Sequence, residues 1–287
     1  PPGVCVLLSA PPRGDLMAEG GRWGKKWFAR RWGVSKKGVW PAPRRGGLCV
    51  FRVPAYSPHA IAEFTLGLIL SANRHIPRAV TRTRDGNFSL QGLMGFDLFG
   101  KTIGIIGTGK IAKVLIELLQ GFGMHILGYD PYPDYAFAGK YGLEYVDFDT
   151  LLRKADIISL HCPLTPENHY MINTEAISKM KQGVMIVNTG RGGLIDTEAL
   201  IQGLKSRHIG CAALDVYEEE GGYFYEDISD NIIEDDTLAR LLSFNNVLLT
   251  SHQAFFTREA LTNIATTTLQ NVKDFVEGKE LVNEVKG

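Results

Sequence analysis

The most constraining feature of this chain is a glycine-containing turn between an apolar strand pattern and an amphipathic helix pattern. Residues 102–106 (TIGII) are mainly β-branched, which favours an extended strand. The next residues read GTGKIA, and apolar residues then recur at helical spacing over 111–122. A strand, a tight glycine turn and a helix in this order are typical of sheets that bind dinucleotides. The order therefore predicts such a unit in this part of the chain.

The small residues of the turn and the next strand end indicate which dinucleotide is bound. Gly107 permits the tight turn, Gly109 lets the backbone approach a pyrophosphate, and Ala112 allows close helix packing. The pyrophosphate is expected at the helix N-terminus, where N–H groups and the helix dipole favour an anion. Asp130 ends the following predicted strand, where a carboxylate accepts a bond from a ribose 2′-hydroxyl and repels a 2′-phosphate. NAD is therefore expected over NADP, the alternative being a structural turn with a capping aspartate.

Short β-branched runs alternate with amphipathic stretches through most of the chain. The predicted strands are 102–106, 125–129, 156–160, 184–188, 210–215 and 247–250. The predicted helices are 111–122, 174–180, 197–206 and 257–277, with a long apolar helix starting after Ser57. Such alternation predicts an α/β fold, a Rossmann-type doubly wound parallel sheet with helices on both faces.

Ionisable residues follow three of these strands. Arg191 lies in the loop 188–193, Glu220 in the loop 215–220, and His252 just after the last strand. Open α/β sheets bind their ligands at the carboxyl ends of the strands. Each residue alone would more often be a surface or core residue, but their joint placement predicts a catalytic site.

The first fifty residues differ in composition from the rest. They hold ten Lys and Arg residues against two acidic ones, and all four tryptophans, although the whole chain has 31 basic and 31 acidic residues. A basic arm that stacks on nucleic-acid bases is one interpretation, but no recognition motif accompanies the charge. We favour a poorly folded or misread segment and predict no nucleic-acid partner. The first residue is Pro, which suggests a fragment or an incomplete gene model.

The cysteines and the apolar runs indicate the compartment. The four cysteines lack CxxC spacing, so neither a zinc site nor a disulfide framework is predicted, and no metal is expected. Reduced thiols favour an intracellular protein. No apolar run in the sequence approaches the ~20 residues that a membrane span requires. We therefore expect a cytoplasmic protein without a membrane partner.

Eight strings of residues carry a resemblance to a known family: RVPAYSP, RTRDGNFSL, GTGKIA, YDPYP, HCPLTPEN, VNTGRGGLID, DVYEEE and TSHQAF. From about Phe51 to its end, the chain resembles the D-isomer-specific 2-hydroxyacid dehydrogenase family, most closely its fermentative D-lactate dehydrogenase branch. The resemblance implies an NAD-dependent enzyme that interconverts pyruvate and D-lactate. Tyr56 and the HQAF string point to the lactate branch, since other branches usually carry a glycine pair after the histidine.

The resemblance assigns catalytic roles to three residues. Arg191 binds the substrate, because a guanidinium holds a carboxylate or a carbonyl with planar, two-point geometry. His252 exchanges the proton of the keto oxygen, and Glu220, the second glutamate of the D-x-Y-E-x-E pattern, orients it and favours its charged form. The implied coenzyme contacts are Gly107, Gly109, Lys110, Ile111, Asp130, Cys162, Pro163, Asn168, Thr189, Arg191 and Asp215. The implied substrate pocket consists of Tyr56, Arg191 and Phe255.

The family also implies a domain plan, from which the chain departs at its start. Family members begin with a complete α/β substrate domain, whereas the first residues of this chain read as a second, incomplete one. The predicted plan is a divergent or truncated substrate domain over 1–55, a helical arm and hinge over 56–95, an NAD-binding Rossmann domain over 96–257, and a C-terminal helix over 258–287 that returns to the substrate domain. The arm implies a homodimer or larger homo-oligomer. Two alternatives stay open: a non-catalytic NAD-binding scaffold or sensor on the same fold, and an inactive product of a defective gene model.

Overall fold

The structure, a computed structural model, describes residues 5–9, 28–30, 48–54 and 57–285. The chain forms two compact units. Unit 1 consists of residues 1–57 and 256–287, and unit 2 of residues 58–255. Most of residues 1–55, for which an incomplete substrate domain is predicted, lie outside the described residues, and the four-part domain plan stays a prediction.

Strands and helices alternate along most of the described chain. The strands are β1 (Cys5–Ser9), β2 (Phe28–Arg30), β3 (Leu48–Phe51), β4 (Thr102–Ile106), β5 (His125–Tyr129), β6 (Leu143–Tyr145), β7 (Ile157–Leu160), β8 (Val184–Asn188), β9 (Ile209–Leu214) and β10 (Val247–Leu249). The α-helices are α1 (Pro58–Asn73), α2 (Ile76–Arg84), α3 (Lys110–Leu119), α4 (Tyr135–Tyr141), α5 (Phe148–Lys154), α6 (Thr174–Lys179), α7 (Thr197–Lys205), α8 (Asp236–Leu242) and α9 (Arg258–Val276). In the part of the chain that the structure describes, no helix combines the length and the apolar character that a membrane crossing requires.

Seven strands of unit 2 form one parallel sheet in the order β6-β5-β4-β7-β8-β9-β10. The order reverses between β4 and β7, because the chain first adds strands on one side of β4 and then on the other. This doubly wound arrangement confirms the predicted Rossmann-type fold class. Ligands of such sheets bind outside the carboxyl ends of the strands at the reversal, which is where the glycine turn lies.

Apolar side chains cover both faces of this sheet. Ile106 and Ile158 belong to one core, which α5, α6, α7 and α8 cover. Their neighbours Ile105 and Ile157 belong to the core on the opposite face, which α1 and α3 cover. Because successive residues of a strand point to opposite faces, a strand covered on both sides is apolar throughout, and β8 is buried at every position. Each fully buried aliphatic side chain stabilises the fold by roughly 1.5–3 kcal/mol.

The two helices at the start of unit 2 differ in burial. α1 buries an apolar stripe that includes Ile61, Leu68 and Ile69. In contrast, none of the residues of α2 is buried, and its Arg78 and Arg84 are exposed. The long helix after Ser57 is therefore confirmed, and the basic stretch that follows it is a solvated helix.

Unit 1 contains a small antiparallel sheet in the order β2-β1-β3. The chain beyond β3 pairs with the C-terminal segment, since the Arg52 N–H donates to the Asn283 carbonyl at 3.0 Å. Phe51 is 1% exposed and lies edge-on to Phe275 of α9, with ring centroids 6.1 Å apart. The C-terminal residues are thus an integral part of this unit.

Between β4 and α9, the sequence does not predict four short elements, β6, α4, α5 and α8. Each has three to seven residues, too few for an apolar periodicity to stand out. The signal that could have found the helices is the N-cap. Asp134, Asp147 and Asp235 precede them, and each side chain accepts a backbone N–H of the first turn.

Candidate active site

The glycine turn joins β4 to α3 beside the reversal of strand order. Gly107 has a φ of +87°, and a Cβ there would lie 2.5 Å from the backbone nitrogen of Cys162, so only glycine fits. Gly109 caps α3, and a Cβ at this residue would meet nothing within 4 Å. Lys110 and Ile111 are the first residues of the helix. The open space and the N–H groups of this helix start suit the pyrophosphate of a dinucleotide.

Asp130 directs its carboxylate toward the glycine turn from the end of β5. Its Oδ2 accepts the Thr108 N–H at 2.6 Å and the Thr108 hydroxyl at 3.1 Å. Its Oδ1 accepts the Tyr132 N–H at 2.8 Å. A negatively charged acceptor is therefore held next to the predicted pyrophosphate position. This arrangement fits a dinucleotide whose ribose carries a free 2′-hydroxyl.

The loop after β7 contains three predicted coenzyme contacts and is held by its own hydrogen bonds. Asn168 donates from Nδ2 to the Pro163 carbonyl at 2.8 Å and accepts the Thr165 N–H at 2.8 Å. Burial raises the pKa of the Cys162 thiol to about 11, so the thiol stays protonated near neutral pH. Cys162 therefore forms a wall behind Gly107 and is not a nucleophile.

A second histidine, His161, lies at the same edge of the sheet, but its surroundings disfavour an acid role. Its Nε2 is 2.8 Å from the Ser159 hydroxyl. Burial lowers the pKa of His161 to about 4, so the ring is neutral near pH 7. The hydrogen bond with the serine hydroxyl satisfies Nε2, and His161 is a structural group.

Backbone contacts hold the loop that carries Arg191, after β8. The Asn188 side chain donates to the Arg191 carbonyl at 2.8 Å and accepts the Gly190 N–H at 3.0 Å. The Arg191 guanidinium donates from Nη1 to the Gly190 carbonyl at 2.7 Å. The buried Thr189 hydroxyl lies 2.9 Å from that of Thr65 in α1, so it fastens the helix to the loop.

Asp215 supports the turn that carries His252. Its Oδ1 accepts the Thr250 hydroxyl at 2.5 Å and the Gln253 N–H at 2.9 Å, and its Oδ2 accepts the Ala254 N–H at 2.8 Å. The side chain is fully buried, which raises the pKa of Asp215, while these hydrogen bonds oppose the rise. The Asp215 carbonyl also accepts the His252 N–H at 2.7 Å. The sequence indicates Asp215 as a coenzyme contact but does not reveal this supporting role.

His252 and Glu220 form a buried pair. The imidazole is 3% exposed, and its Nδ1 lies 3.0 Å from Glu220 Oε1. Since Nδ1 donates to the carboxylate, Nε2 is the nitrogen that can exchange a proton with a ligand. Nε2 and Glu220 Oε2 are both buried and have no hydrogen-bond partner among the described residues. The backbone of His252 is in the left-handed region, with φ +54°, which is uncommon outside glycine and often marks a functional site.

Glu218 is not part of the pair that His252 and Glu220 form. Glu218, the first glutamate of its pattern, accepts the Tyr170 hydroxyl at 2.6 Å instead of contacting His252. Phe255 is 8% exposed, and Tyr56 lies outside the described residues. The sequence offers no signal for the side-chain contacts of Thr108, because this residue is a variable position inside the glycine pattern.

Comparisons with known proteins identify the family of this chain. A family model described as D-isomer specific 2-hydroxyacid dehydrogenase, NAD binding domain, matches residues 66–254. The D-lactate dehydrogenase of Escherichia coli K12 is 49% identical over 98% of this chain and 85% of that protein. A 2-hydroxyacid dehydrogenase homolog of Haemophilus influenzae is 54% identical over 83% of this chain and 72% of its own length. The crystal structure of D-lactate dehydrogenase from Aquifex aeolicus complexed with NAD and lactic acid is 35% identical, with a TM-score of 0.76 over 84% of this chain and 74% of that chain.

The matched region spans more than half of the chain. It contains the glycine turn, Asp130, Arg191, Glu220 and His252. The match to an NAD-binding domain identifies NAD as the coenzyme. The chain belongs to the D-isomer-specific 2-hydroxyacid dehydrogenase family and is an NAD-dependent dehydrogenase.

Proposed function

We propose that this chain reduces pyruvate to D-lactate with NADH and catalyses the reverse oxidation with NAD. The observation that carries the proposal is the buried pair of His252 and Glu220, whose Nε2 has no partner in the described part of the chain. When bound, the reduced nicotinamide supplies a hydride to the keto carbon. The similarity to proteins named D-lactate dehydrogenase supports D-lactate as the product.

His252 supplies the proton of the reduction. Hydride addition leaves a negative charge on the former keto oxygen, and the proton on Nε2 neutralises it. The Glu220 carboxylate, 3.0 Å from Nδ1, stabilises the positively charged ring and keeps Nε2 in a fixed direction. In the oxidation, the neutral Nε2 accepts the hydroxyl proton. One hydride and one proton are thus consumed for each pyruvate reduced.

Arg191 holds the substrate in this proposal. Its planar guanidinium can bind the carboxylate or the carbonyl with two parallel hydrogen bonds. The contact between Nη1 and the Gly190 carbonyl, at 2.7 Å, limits the orientations of the side chain. Tyr56 and Phe255 stay predicted pocket residues. Lysine at position 191 keeps the charge without the two-point geometry, so Arg191→Lys should raise the KM for pyruvate.

The coenzyme contacts are assigned to the glycine turn and the loops beside it. The turn and the start of α3 contribute Gly107, Gly109, Lys110 and Ile111, and β5 contributes Asp130. The other assigned contacts are Cys162, Pro163, Asn168, Thr189, Arg191 and Asp215. All of them lie beyond the carboxyl ends of β4, β5, β7, β8 or β9, where such sheets bind their ligands, and this supports the assignment.

A substrate panel tests the proposed function. NADH consumption is followed with pyruvate, phenylpyruvate, glyoxylate and hydroxypyruvate, and the stereochemistry of the product is determined by chiral chromatography. We expect kcat/KM for pyruvate to exceed that for each other acid by at least about tenfold, the discrimination that one well-fitted pocket gives. The expected product is D-lactate. A preference for a larger acid, or formation of L-lactate, would contradict the proposal.

We also propose that the chain forms a homodimer or larger homo-oligomer. The segment 76–99 exposes the large apolar side chains of Ile76, Val80, Phe88, Leu90, Met94 and Phe99. Apolar surface of this kind typically marks an interface. Sedimentation at micromolar concentration should show at least a dimer, and Leu90→Asp should shift the population toward smaller species. A stable monomer of the unsubstituted chain would contradict this proposal.

The proposed location is the cytoplasm. The scattered cysteines without CxxC spacing support it, since reduced thiols are typical of intracellular proteins. Fractionation of cells that produce the chain tests it. Recovery of the protein in the membrane or secreted fraction would contradict it.

A further inference from the structure

A chain of hydrogen bonds connects three loops at the coenzyme end of unit 2. The Asp134 N–H lies 3.0 Å from the Tyr145 hydroxyl oxygen, which lies 2.8 Å from Thr108 Oγ1. Thr108 Oγ1 in turn lies 3.1 Å from Asp130 Oδ2. Thr108 is 4% exposed, so water competes little for its hydroxyl. We refer to this chain of bonds as the Tyr145 relay.

The end groups determine the direction of every bond in the relay. The Asp134 N–H can only donate, so the Tyr145 oxygen accepts from it. The ionised carboxylate of Asp130 can only accept, so the Thr108 hydroxyl donates to it. It follows that the Tyr145 hydroxyl donates to Thr108 Oγ1. All donors point toward Asp130, an arrangement in which successive hydrogen bonds strengthen one another.

The sheet is built to let Tyr145 reach the glycine turn. Tyr145 ends β6 and pairs with Gly128 of β5, the strand that separates it from β4. A Cβ at Gly128 would lie 3.3 Å from both the Tyr145 ring and the Thr108 methyl group, and 2.9 Å from Leu143. Glycine inside a strand often marks such a close approach. The absence of a side chain at 128 therefore allows the ring to lie across β5.

Packing and charge around the relay agree with a positioning role. Tyr135 packs edge-on against the Tyr145 ring, with centroids 5.6 Å apart. The ammonium group of Lys113, which could attract a phosphate, is paired with the Asp134 carboxylate at 2.5 Å. The relay therefore ends at the fixed negative charge of Asp130, and the positive charge of Lys113 is neutralised by Asp134.

We propose that Tyr145 and Thr108 are positioning residues that select NAD over NADP by holding the Asp130 carboxylate against the glycine turn. An ionised carboxylate accepts about four hydrogen bonds, and Thr108 and Tyr132 already supply three to Asp130. One acceptor site is left for a ribose hydroxyl. A 2′-phosphate is repelled by the negative charge of the carboxylate, which these hydrogen bonds hold in place. The inference rests on the proposed assignment of Asp130 to the ribose.

Removal of single hydroxyl groups tests the relay. Tyr145→Phe and Thr108→Val should each raise the KM for NADH about three- to tenfold, the effect of one lost hydrogen bond, with the change in KM rather than in kcat. The ratio of kcat/KM with NADPH to that with NADH should rise by a similar factor. Thr108→Ser keeps the hydroxyl and should retain the parent ratio.

A matched control removes a tyrosine hydroxyl elsewhere on the same surface. The Tyr141 hydroxyl of α4 contacts the exposed Lys140 at 2.9 Å and takes no part in the relay. Tyr141→Phe should therefore leave the coenzyme ratio unchanged. An equal rise of the ratio in Tyr141→Phe and Tyr145→Phe would overturn the inference.

A double-mutant cycle separates this inference from the role of Asp130. Asp130→Ala alone should raise the NADPH-to-NADH ratio, and adding Tyr145→Phe to it should cause no further rise, because the relay acts through the missing carboxylate. If Asp130→Ala leaves the ratio unchanged, the assignment of Asp130 fails. If Asp130→Ala raises the ratio but neither Tyr145→Phe nor Thr108→Val does, the relay alone fails. An equal effect of Tyr145→Phe in both backgrounds would also overturn it.

Discussion

Along the carboxyl edge of the sheet, the polar groups beside β4 and β5 and those beside β9 and β10 differ in whether they have hydrogen-bond partners. Beside β4 and β5, the Asp130 carboxylate accepts three hydrogen bonds from the chain itself. Beside β9 and β10, His252 Nε2 and Glu220 Oε2 are buried without a partner among the described residues. Such an unpaired buried group destabilises a fold by roughly 1–3 kcal/mol. The difference indicates that a binding group can be held in position in advance by hydrogen bonds, whereas a reacting atom must stay available.

The strongest test of this comparison removes the available nitrogen. His252→Ala should lower kcat for pyruvate reduction by about a thousandfold, within the range of general acid–base catalysis. NADH affinity, measured by fluorescence titration, should change little, because His252 is not among the residues assigned to coenzyme binding. His125→Ala, at an exposed residue, is the control and should retain activity. A loss of NADH affinity as large as the loss of kcat would contradict the assignment of proton transfer and coenzyme binding to different residues.

A second test removes the negative charge of Asp130 instead. Asp130→Ser should raise the ratio of kcat/KM with NADPH to that with NADH by up to about a hundredfold, since juxtaposed like charges are strongly unfavourable. The value of kcat at saturating NADH should stay close to that of the parent. Steady-state kinetics with both coenzymes measure this effect. A parent enzyme that already uses both coenzymes equally well would show that Asp130 does not discriminate.

A third test concerns His161, the other histidine at the carboxyl edge of the sheet. It is hydrogen-bonded to Ser159 and neutral near pH 7. Its pKa is lowered to about 4 in the folded chain, from an ordinary 6.5, so between these values the unfolded chain binds more protons. The free energy of unfolding should therefore fall as the pH drops through this window, by about 2 kcal/mol at about pH 5. His161→Gln should remove that contribution. Urea unfolding of both proteins at pH 7 and pH 5 measures it, and identical pH dependence would contradict the assignment.

The fourth and smallest expected effect concerns the charge next to His252. Glu220→Gln removes a negative charge that stabilises the protonated ring, so pyruvate reduction should be lost at a lower pH than in the parent. Oxidation of D-lactate, which needs the neutral ring, should extend to lower pH by the same amount. Glu219→Gln, at the exposed neighbour, is the matched control. Unchanged pH profiles in Glu220→Gln would contradict the pairing.

The sheet could be predicted from the sequence because its central strands are apolar on both faces. β4, β5 and β8 have the predicted bounds, and the ends of β7, β9 and β10 differ by one residue. The glycine turn and Asp130 follow from local spacing, and Glu220 and His252 from the family pattern. The Tyr145 relay could not be predicted, since its central contact joins residues 37 positions apart. The left-handed backbone of His252 could not be predicted either, because the contacts of the Asp215 carboxylate with Gln253 and Ala254 exist only after folding.

The short edge strands of the sheet limit how copies of this chain can associate. Both of its edges, β6 and β10, are strands of only three residues. At about 3.3 Å per residue, each edge presents about 10 Å of backbone that pairs with no other described strand, and such short edges are poor templates for a strand of another molecule. We therefore expect this sheet to resist strand-by-strand growth into fibres. Ordered assembly is left to side-chain surfaces such as the segment 76–99.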